Sequence, residues 1–413
     1  MRILFVSPVS PLPLLNGTSV RIYNIMNQLR RHGHEIGLIA MLYEQDRSAM
    51  ETIHHWFLDL ELITIRSPGQ IRNRPPAVSW KRLLVLIKLL FEGTPPKMAL
   101  TYHPGIEKAL SKLQSKYDLI FVELCFMALN YPKQLLYANQ QKTVLVEIDI
   151  SFIAKKRQYQ LKRGLARFIS WLNFLAWRRS EINIANRFSR IATMSELDQR
   201  ILKSIFPEKQ IIVVPNGADL ESIQFTIPKN RNTDHPRLLF VGGLAHRANL
   251  DALEYFLLEI FPLLRKKYPQ LRLLVAGQTA GHENKLKSLA AQGLDLLGFI
   301  PDLTEHFSNC IAFIAPLRIA GGTRLKIVQA MASGIPVIST SIGSEGLQVI
   351  DGKHLFIAEN ASEFLQALER IVNDPKKTEK MIKSARELCE KHYDWAIIVD
   401  KMIKSLSGSD KKK

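Results

Sequence analysis

Three loops of this sequence set glycines beside cations or helix starts, the combination that holds a phosphorylated ligand. The most informative runs Ile314-Ala-Pro-Leu-Arg-Ile-Ala-Gly-Gly-Thr-Arg-Leu-Lys-Ile-Val-Gln-Ala-Met-Ala-Ser-Gly-Ile-Pro-Val-Ile-Ser339. A buried strand ends at Pro316, Gly321-Gly322-Thr323 precede a helix, and Gly334 closes it before the next strand. Such a helix start leaves amide N–H groups pointing outward, where an anion binds. Arg324 and Lys326 in the first turn oppose the helix macrodipole, and a diphosphate between them removes that penalty. Gln329 follows Lys326 by three residues, one turn further along a similar face. Taken alone, the segment fits equally a left-handed Gly turn capped by Thr323, with Arg324 and Lys326 in solvent. A second loop is Leu239-Phe-Val-Gly-Gly-Leu-Ala-His-Arg-Ala-Asn249, where Gly242-Gly243 end a strand and Asn249 or Asp251 caps a long helix. The third joins Ser7-Pro8 to Asn16-Gly17-Thr18. Asp149, after the apolar run Thr143–Ile148, stands where an Asp caps the helix that follows. His103 and His246 read as turn histidines, His246 being the better placed for chemistry.

The elements that must position these loops alternate. Ile3–Val6, Glu35–Ala40, Leu119–Val122 and Thr143–Ile148 read as strands in the first half, with a helix over Val20–His32 ended by Gly33. In the second half the strands are Leu238–Val241, Leu271–Ala276, Leu294–Leu297, Ile311–Ile314 and Ile335–Ser339, with a long helix over Leu250–Leu264. Strand–helix alternation predicts parallel sheets with helices on both faces. The 413 residues suit two such domains, and the boundary falls within 205–236, where strand Ile211–Val214 leads into a Pro-Asn-Gly turn and a polar stretch. In open α/β sheets, ligands bind outside the carboxyl ends of the strands. All three loops lie there, so two facing domains would enclose them in a central cleft.

Composition narrows the partners. The chain has 56 Lys plus Arg against 38 Asp plus Glu, a net charge of +18, which points to anionic ligands or surfaces. Residues 66–97 carry seven basic residues and one acid; residues 151–190 carry ten and one, interleaved with Trp171, Phe174 and Trp177. A basic, aromatic segment of that kind suits an anionic membrane surface, and it equally suits a solvated helix with its aromatics in the core. No recognition helix or RNA-reading signature appears, so nucleic acid is not expected. Three separated cysteines exclude a disulfide framework and suit a reducing compartment. The longest apolar stretch, Leu83–Phe91, is nine residues with Lys88 inside it, against the ~20 that a membrane span needs. No secretory signal precedes the first strand. The expected place is the cytoplasm, with peripheral contact at the inner face of the cell membrane through 151–190.

The ordered set of motifs resembles the retaining glycosyltransferases of family 4, with the GT-B fold of two doubly wound Rossmann-like domains facing a central cleft. The resemblance covers nearly the whole chain. It rests on the first loop with Arg21, Arg31-His-Gly-His-Glu35, Ala192-Thr-Met-Ser-Glu196 with Asp198, and Val213-Val-Pro-Asn-Gly-Ala-Asp219. It continues through Phe240-Val-Gly-Gly243, Ala315-Pro-Leu-Arg318, Gly321-Gly-Thr-Arg-Leu-Lys326, Gln329-Ala-Met-Ala-Ser-Gly-Ile-Pro-Val337 and Ser341-Ile-Gly-Ser-Glu-Gly346. The domains implied are 1–205, joined by a C-terminal helix at about 393–406, and 206–392, with 407–413 as a disordered tail.

The resemblance implies transfer of a sugar from a nucleoside-diphosphate donor, UDP- or GDP-linked, to a glycan or lipid-linked acceptor with retention of configuration, in cell-surface polysaccharide or glycoconjugate synthesis. Gly242, Gly243, Arg324 and Lys326 would surround the diphosphate, with His246 and Asn249 in the same loop. Gln329 would lie by the ribose, and the amides of Gly321, Gly322 and Thr323 would face the sugar. Gly17 would let the first loop approach the phosphates, and Asp149 is the candidate catalytic base beside Arg324 and Lys326. The sequence departs from the family at two places. The family often has glutamates at the positions of Gly321 and Gln329, and a Lys-Gly where His246-Arg247-Ala248-Asn249 stands. A neutral Gln329 makes a weaker ribose contact than a carboxylate. No Asp-x-Asp pair ends a plausible strand, so neither metal nor other cofactor is expected. The missing glutamates leave room for a non-catalytic sugar- or membrane-binding protein of the same fold. A nucleotide-sugar epimerase would need acidic and histidine catalytic groups that the sequence does not assign.

Overall fold

The computed structural model describes residues 1–65, 80–227, 234–290, 292–319 and 322–407. The chain divides into two compact units. One is Met1–Pro215 with the chain from Val399, and the other is Asn216–Ile398.

The first unit is built on a seven-stranded parallel sheet. Its strands are β1 (Arg2–Ser7), β2 (Glu35–Tyr43), β3 (Phe57–Ile65), β4 (Leu119–Glu123), β5 (Thr143–Glu147), β6 (Arg190–Thr193) and β7 (Gln210–Val213), in the order β3-β2-β1-β4-β5-β6-β7. The inner strands β1, β4 and β5 are near-continuous apolar runs because helices cover both faces. Helix α1 (Gly17–Arg31) starts three residues before the expected Val20. Asn16 Oδ1 accepts from the amides of Thr18 and Ser19 at 3.0 Å each, and Ser19 Oγ accepts from the Asn16 amide in return. The remaining helices used below are α2 (Trp80–Phe91), α3 (Pro104–Leu113), α4 (Ser151–Gln160), α5 (Gly164–Ala185) and α6 (Glu196–Ile205). His103 caps α3 through its ring nitrogen, 3.1 Å from the Gly105 amide.

Strand 211–214, expected to open the second domain, instead completes the first sheet. Ile191 pairs with Ile211 in register, and Gln199 of α6 donates to the Ile211 carbonyl at 2.6 Å. The units therefore divide after Pro215 rather than after residue 205. β3 escaped the sequence reading although its nine residues alternate; as an edge strand it is only partly buried, and its Asp59 and Glu61 pair with Lys116 and Lys112.

The second unit holds a six-stranded parallel sheet, β8 (Arg237–Val241), β9 (Arg272–Ala276), β10 (Leu294–Gly298), β11 (Ala312–Ala315), β12 (Val337–Ser339) and β13 (Phe356–Ile357), ordered β10-β9-β8-β11-β12-β13. After β8 comes α7 (Arg247–Tyr255), which continues through a π-helical turn at Phe256–Ile260 and a last helical stretch, Phe261–Lys267. Pro262 has no N–H to give the preceding turn, and the wider turn lies just before it. Helix α8 is Glu283–Ala290, α9 Leu325–Ser333, α10 Ala361–Asn373 and α11 Pro375–His392; α12 (Trp395–Ser407) runs across the division at Val399. Gly334 ends α9 at φ +94°, where a Cβ would stand 2.4 Å from the Thr226 carbonyl oxygen. Of the expected tail, residues 408–413 lie outside the described residues.

The first unit buries several carboxyls. Glu123, at the end of β4, is enclosed with Arg21 of α1, and burial pushes its carboxyl up to about 7 despite the guanidinium. Burial likewise lifts Glu181 to about 8 against the backbone N–H groups it accepts. Both values lie above the ~4.3 of a solvated Glu, so the protonated forms favour folding. That stability is complete below about pH 4.3 and is lost as pH rises through 7 and 8. The thermal midpoint of the first unit should fall between pH 5.5 and about 8.5, and Glu123→Gln should flatten the fall by on the order of 1–3 kcal/mol at the upper end. An equal pH dependence in parent and variant would show that Glu123 keeps its charge in the folded protein.

Candidate functional site

In the second unit, the loops after β8 and before α9 meet around one ammonium group. Lys326 Nζ donates to the Val241 carbonyl at 2.9 Å and to Asn249 Oδ1 at 3.0 Å, and it lies 4.8 Å from the centre of the Phe240 ring. Part of the side chain reaches the surface, but the charged end lies deep, and burial followed by the charge of Arg324 lowers its pKa to about 7. The expected solvated Lys326 is thus absent. Two cations held close in a partly desolvated place repel, and an anion between them relieves the repulsion.

Asn249 does not cap α7; His246 holds that position through its backbone and is exposed. The Asn249 side chain instead bridges two elements, accepting from Lys326 and donating from Nδ2 to the Gly243 carbonyl at 3.0 Å. The same side chain fixes the residue type at 242, where an added Cβ would meet its amide group at 2.7 Å. Around Gly243 the space is open. Asp251 is not a cap either. It takes a bidentate pair from Arg318, at 3.0 and 3.2 Å, while that guanidinium covers the Tyr255 ring. The pair ties the loop after β11 to α7.

Thr323 is buried, and its backbone and hydroxyl oxygens accept from Asn216 Nδ2 at 3.1 and 3.2 Å. It therefore does not cap the helix; α9 begins at Leu325 with Arg324 in the cap position. Gly322 has φ +64°, a left-handed conformation that favours glycine. Gln329 lies one turn along α9 and is partly buried. Gly321 falls outside the described residues. The structure thus joins Gly242, Gly243, Asn249 and Lys326 by direct contacts, with Gly322, Thr323 and Arg324 in the adjoining loop. A groove of about 630 Å³ lined by Arg237, Arg272, Lys287, Asp295 and His306 opens at the amino ends of β8–β10, the opposite end of the sheet.

The first unit places the other two candidates. Gly17 opens α1 with nothing near its Cα. Asp149 follows β5 and precedes α4, but the capping role is taken by Glu181 of α5, whose carboxylate accepts from the amides of Ser151 at 3.0 Å and Phe152 at 2.8 Å. Cys125, Glu147 and Glu181 gather behind this loop, and the charge of Asp149 helps raise all three. Glu181 and Asn216 are the residues that sequence reasoning passed over as a lone acid in a basic helix and a turn residue. Their burial is what gives them roles, and no pattern in the sequence shows it.

Residues 235–374 match the family model described as Glycosyl transferases group 1. An uncharacterized glycosyltransferase of Haemophilus influenzae is 27% identical over 53% of this chain, which spans 60% of that protein's length. An uncharacterized 44.6 kDa protein in the cps region of Klebsiella pneumoniae is 22% identical over 95% of this chain and 96% of its own. The structure of Anabaena HepE in complex with UDP and glucose superposes with a TM-score of 0.68 over 98% of this chain and 99% of that one, at 17% identity. Residues 235–374 are thus similar to the Glycosyl transferases group 1 family, in a chain with the two-unit GT-B fold.

Proposed function

We propose that this protein transfers a sugar, with retention of configuration as in family 4, from a nucleoside-diphosphate donor to a glycan or lipid-linked acceptor in cell-surface glycan synthesis. The observation that carries this reading is the Lys326 ammonium, held by Asn249 and Val241 beside Arg324 at the carboxyl ends of β8 and β11. In the transfer, the bond from the sugar's anomeric carbon to the diphosphate breaks and a bond to the acceptor oxygen forms. The negative charge then grows on the departing diphosphate. Arg324, Lys326 and the amides of Gly322 and Thr323 are set to stabilise it without moving. Gly242 and Gly243 give the diphosphate a close approach, Gln329 takes a ribose hydroxyl, and the exposed ring of His246 borders the same loop. Gly17 is assigned to the donor, where it lets the first loop come close to a phosphate, and Asp149 is assigned as the base for the acceptor hydroxyl. The site's donors are amides, Asn, Lys and Arg rather than carboxylates, so transfer is expected to persist with a chelator present. A lipid-linked acceptor would bring the enzyme to the inner face of the cell membrane, in contact through 151–190.

Thermal unfolding with UDP, GDP, ADP and their sugars tests the donor site. A ligand at a hundred times its dissociation constant stabilises by ~2.7 kcal/mol, and Arg324→Ala should abolish the shift. No shift with any of them in the parent would favour a non-catalytic protein of the same fold. Asn216→Ala removes both contacts to Thr323, and it should weaken nucleotide binding about tenfold, ~1.4 kcal/mol, while Gln210→Ala leaves it unchanged. Unchanged affinity in Asn216→Ala would show that the Thr323 loop holds its shape without that residue.

Lys326 makes the binding pH-dependent with a definite sign. Its pKa near 7 in the free protein rises when a diphosphate is bound, so binding above pH 7 takes up a proton. Affinity should fall by up to about tenfold per pH unit above 7, and Lys326→Arg should flatten the profile. Calorimetry in buffers of different ionisation enthalpy reads the proton directly; no uptake at pH 8 would mean that Lys326 is already charged without ligand.

A further inference from the structure

Two helices of the first unit expose apolar side chains that no described residue covers. The last third of α5 is anchored, with Trp177, Glu181, Ile184 and Ala185 buried. Its first three turns are not: Leu165 is 74% exposed, and Phe168, Ile169 and Leu172 are about half exposed. Spaced i, i+3, i+4 and i+7, these four residues form one apolar stripe that faces outward. Helix α2 shows the same departure, with Trp80 79% and Phe91 90% exposed and Leu84 outward between them. The end of α2 lies beside α5: a Cβ placed on Gly93, just past α2, would stand 3.9 Å from Arg179 Nη1 of that helix.

Charge identifies what covers this surface. From 151 to 180 the chain has eight Lys or Arg and no Asp or Glu, and Lys156, Arg163 and Arg167 are exposed around the turn between α4 and α5. In residues 80–92 the one acid, Glu92, faces Lys88 at 4.0 Å. A second copy of this face would bring like charges together, and nucleic acid has no use for exposed Leu and Ile side chains. A bilayer with anionic headgroups satisfies both, its phosphates meeting the cations and its acyl boundary taking the apolar groups. No helix among the described residues is long and apolar enough to span it.

We propose that α2 and the α4–α5 hairpin form one lipid-seated surface, entering an anionic membrane to the depth of the acyl boundary. This deepens the membrane contact included above: adsorption through the basic segment becomes insertion by two helices. It is scored without donor or acceptor, so it stands or falls separately from the transferase reading.

The test is co-sedimentation of the full chain with vesicles of phosphatidylcholine alone or mixed with phosphatidylglycerol, together with tryptophan quenching by lipids brominated in the acyl chain. The parent should bind the anionic vesicles, keep a measurable part of that binding when salt is raised from about 0.1 to about 1 M, and be quenched. Leu165→Ser/Phe168→Ser/Ile169→Ser and Trp80→Ser/Leu84→Ser/Phe91→Ser should each weaken binding at least tenfold, and Arg163→Gln/Arg167→Gln should remove the preference for anionic lipid. Failure of the parent to sediment, or binding without quenching, overturns insertion. Unchanged binding in the α2 variant overturns the two-helix surface. Concentration-dependent dimers abolished by the same substitutions would assign the face to a second copy. The quenching arm uses the parent alone, so it decides even if a triple variant fails to fold.

Discussion

A buried ammonium organises the second unit. Placing a lysine beside an arginine at the ends of two strands is unfavourable by itself, and the surrounding structure is arranged to tolerate it. Phe240 offers a ring face, Val241 a carbonyl and Asn249 an amide oxygen, while Asn249 in turn holds Gly243. The Gly at 242 follows from the space Asn249 occupies, and the bidentate Arg318–Asp251 pair keeps the neighbouring loop in place. The cation is thus held on its protein side by several elements at once. Preorganisation of this kind is what lets fixed dipoles and cations act on a leaving group without first rearranging.

The two units bury ionisable groups of opposite kind. Where the second encloses a lysine, the first encloses Glu123, Glu147 and Glu181 behind the loops that follow β4 and β5. Glu181 shows how such a carboxyl is accommodated. It reaches from α5 to the first amides of α4, so the helix hairpin and the Asp149 loop share one anchor. Whatever Asp149 does, the backbone just after it is held by a residue about thirty positions away.

Most of the architecture was legible in the sequence. Gly33, the apolar strand runs and the strand–helix alternation gave two parallel sheets, and the ordered motifs located the cationic loops. What stayed hidden depended on burial and partners. The domain division moved because Ile211 pairs with Ile191, a contact no local pattern encodes. Asn249, Asp251 and Thr323 each looked like a cap and each has a tertiary partner instead. Propensity correctly marks such residues as suited to helix ends, yet a competing side chain 67 to 107 residues away decides where the hydrogen bond goes.

Two adjacent residues at the division after Pro215 are each held from within their own unit. Arg21 Nη1 holds the Pro215 carbonyl at 2.9 Å, and the very next side chain, Asn216, holds Thr323. Each residue takes its place from its own unit, Pro215 from α1 and Asn216 from the loop before α9. In evolutionary terms, the residue types at 21 and at 323 are tied to the two sides of one peptide bond, each through its own unit.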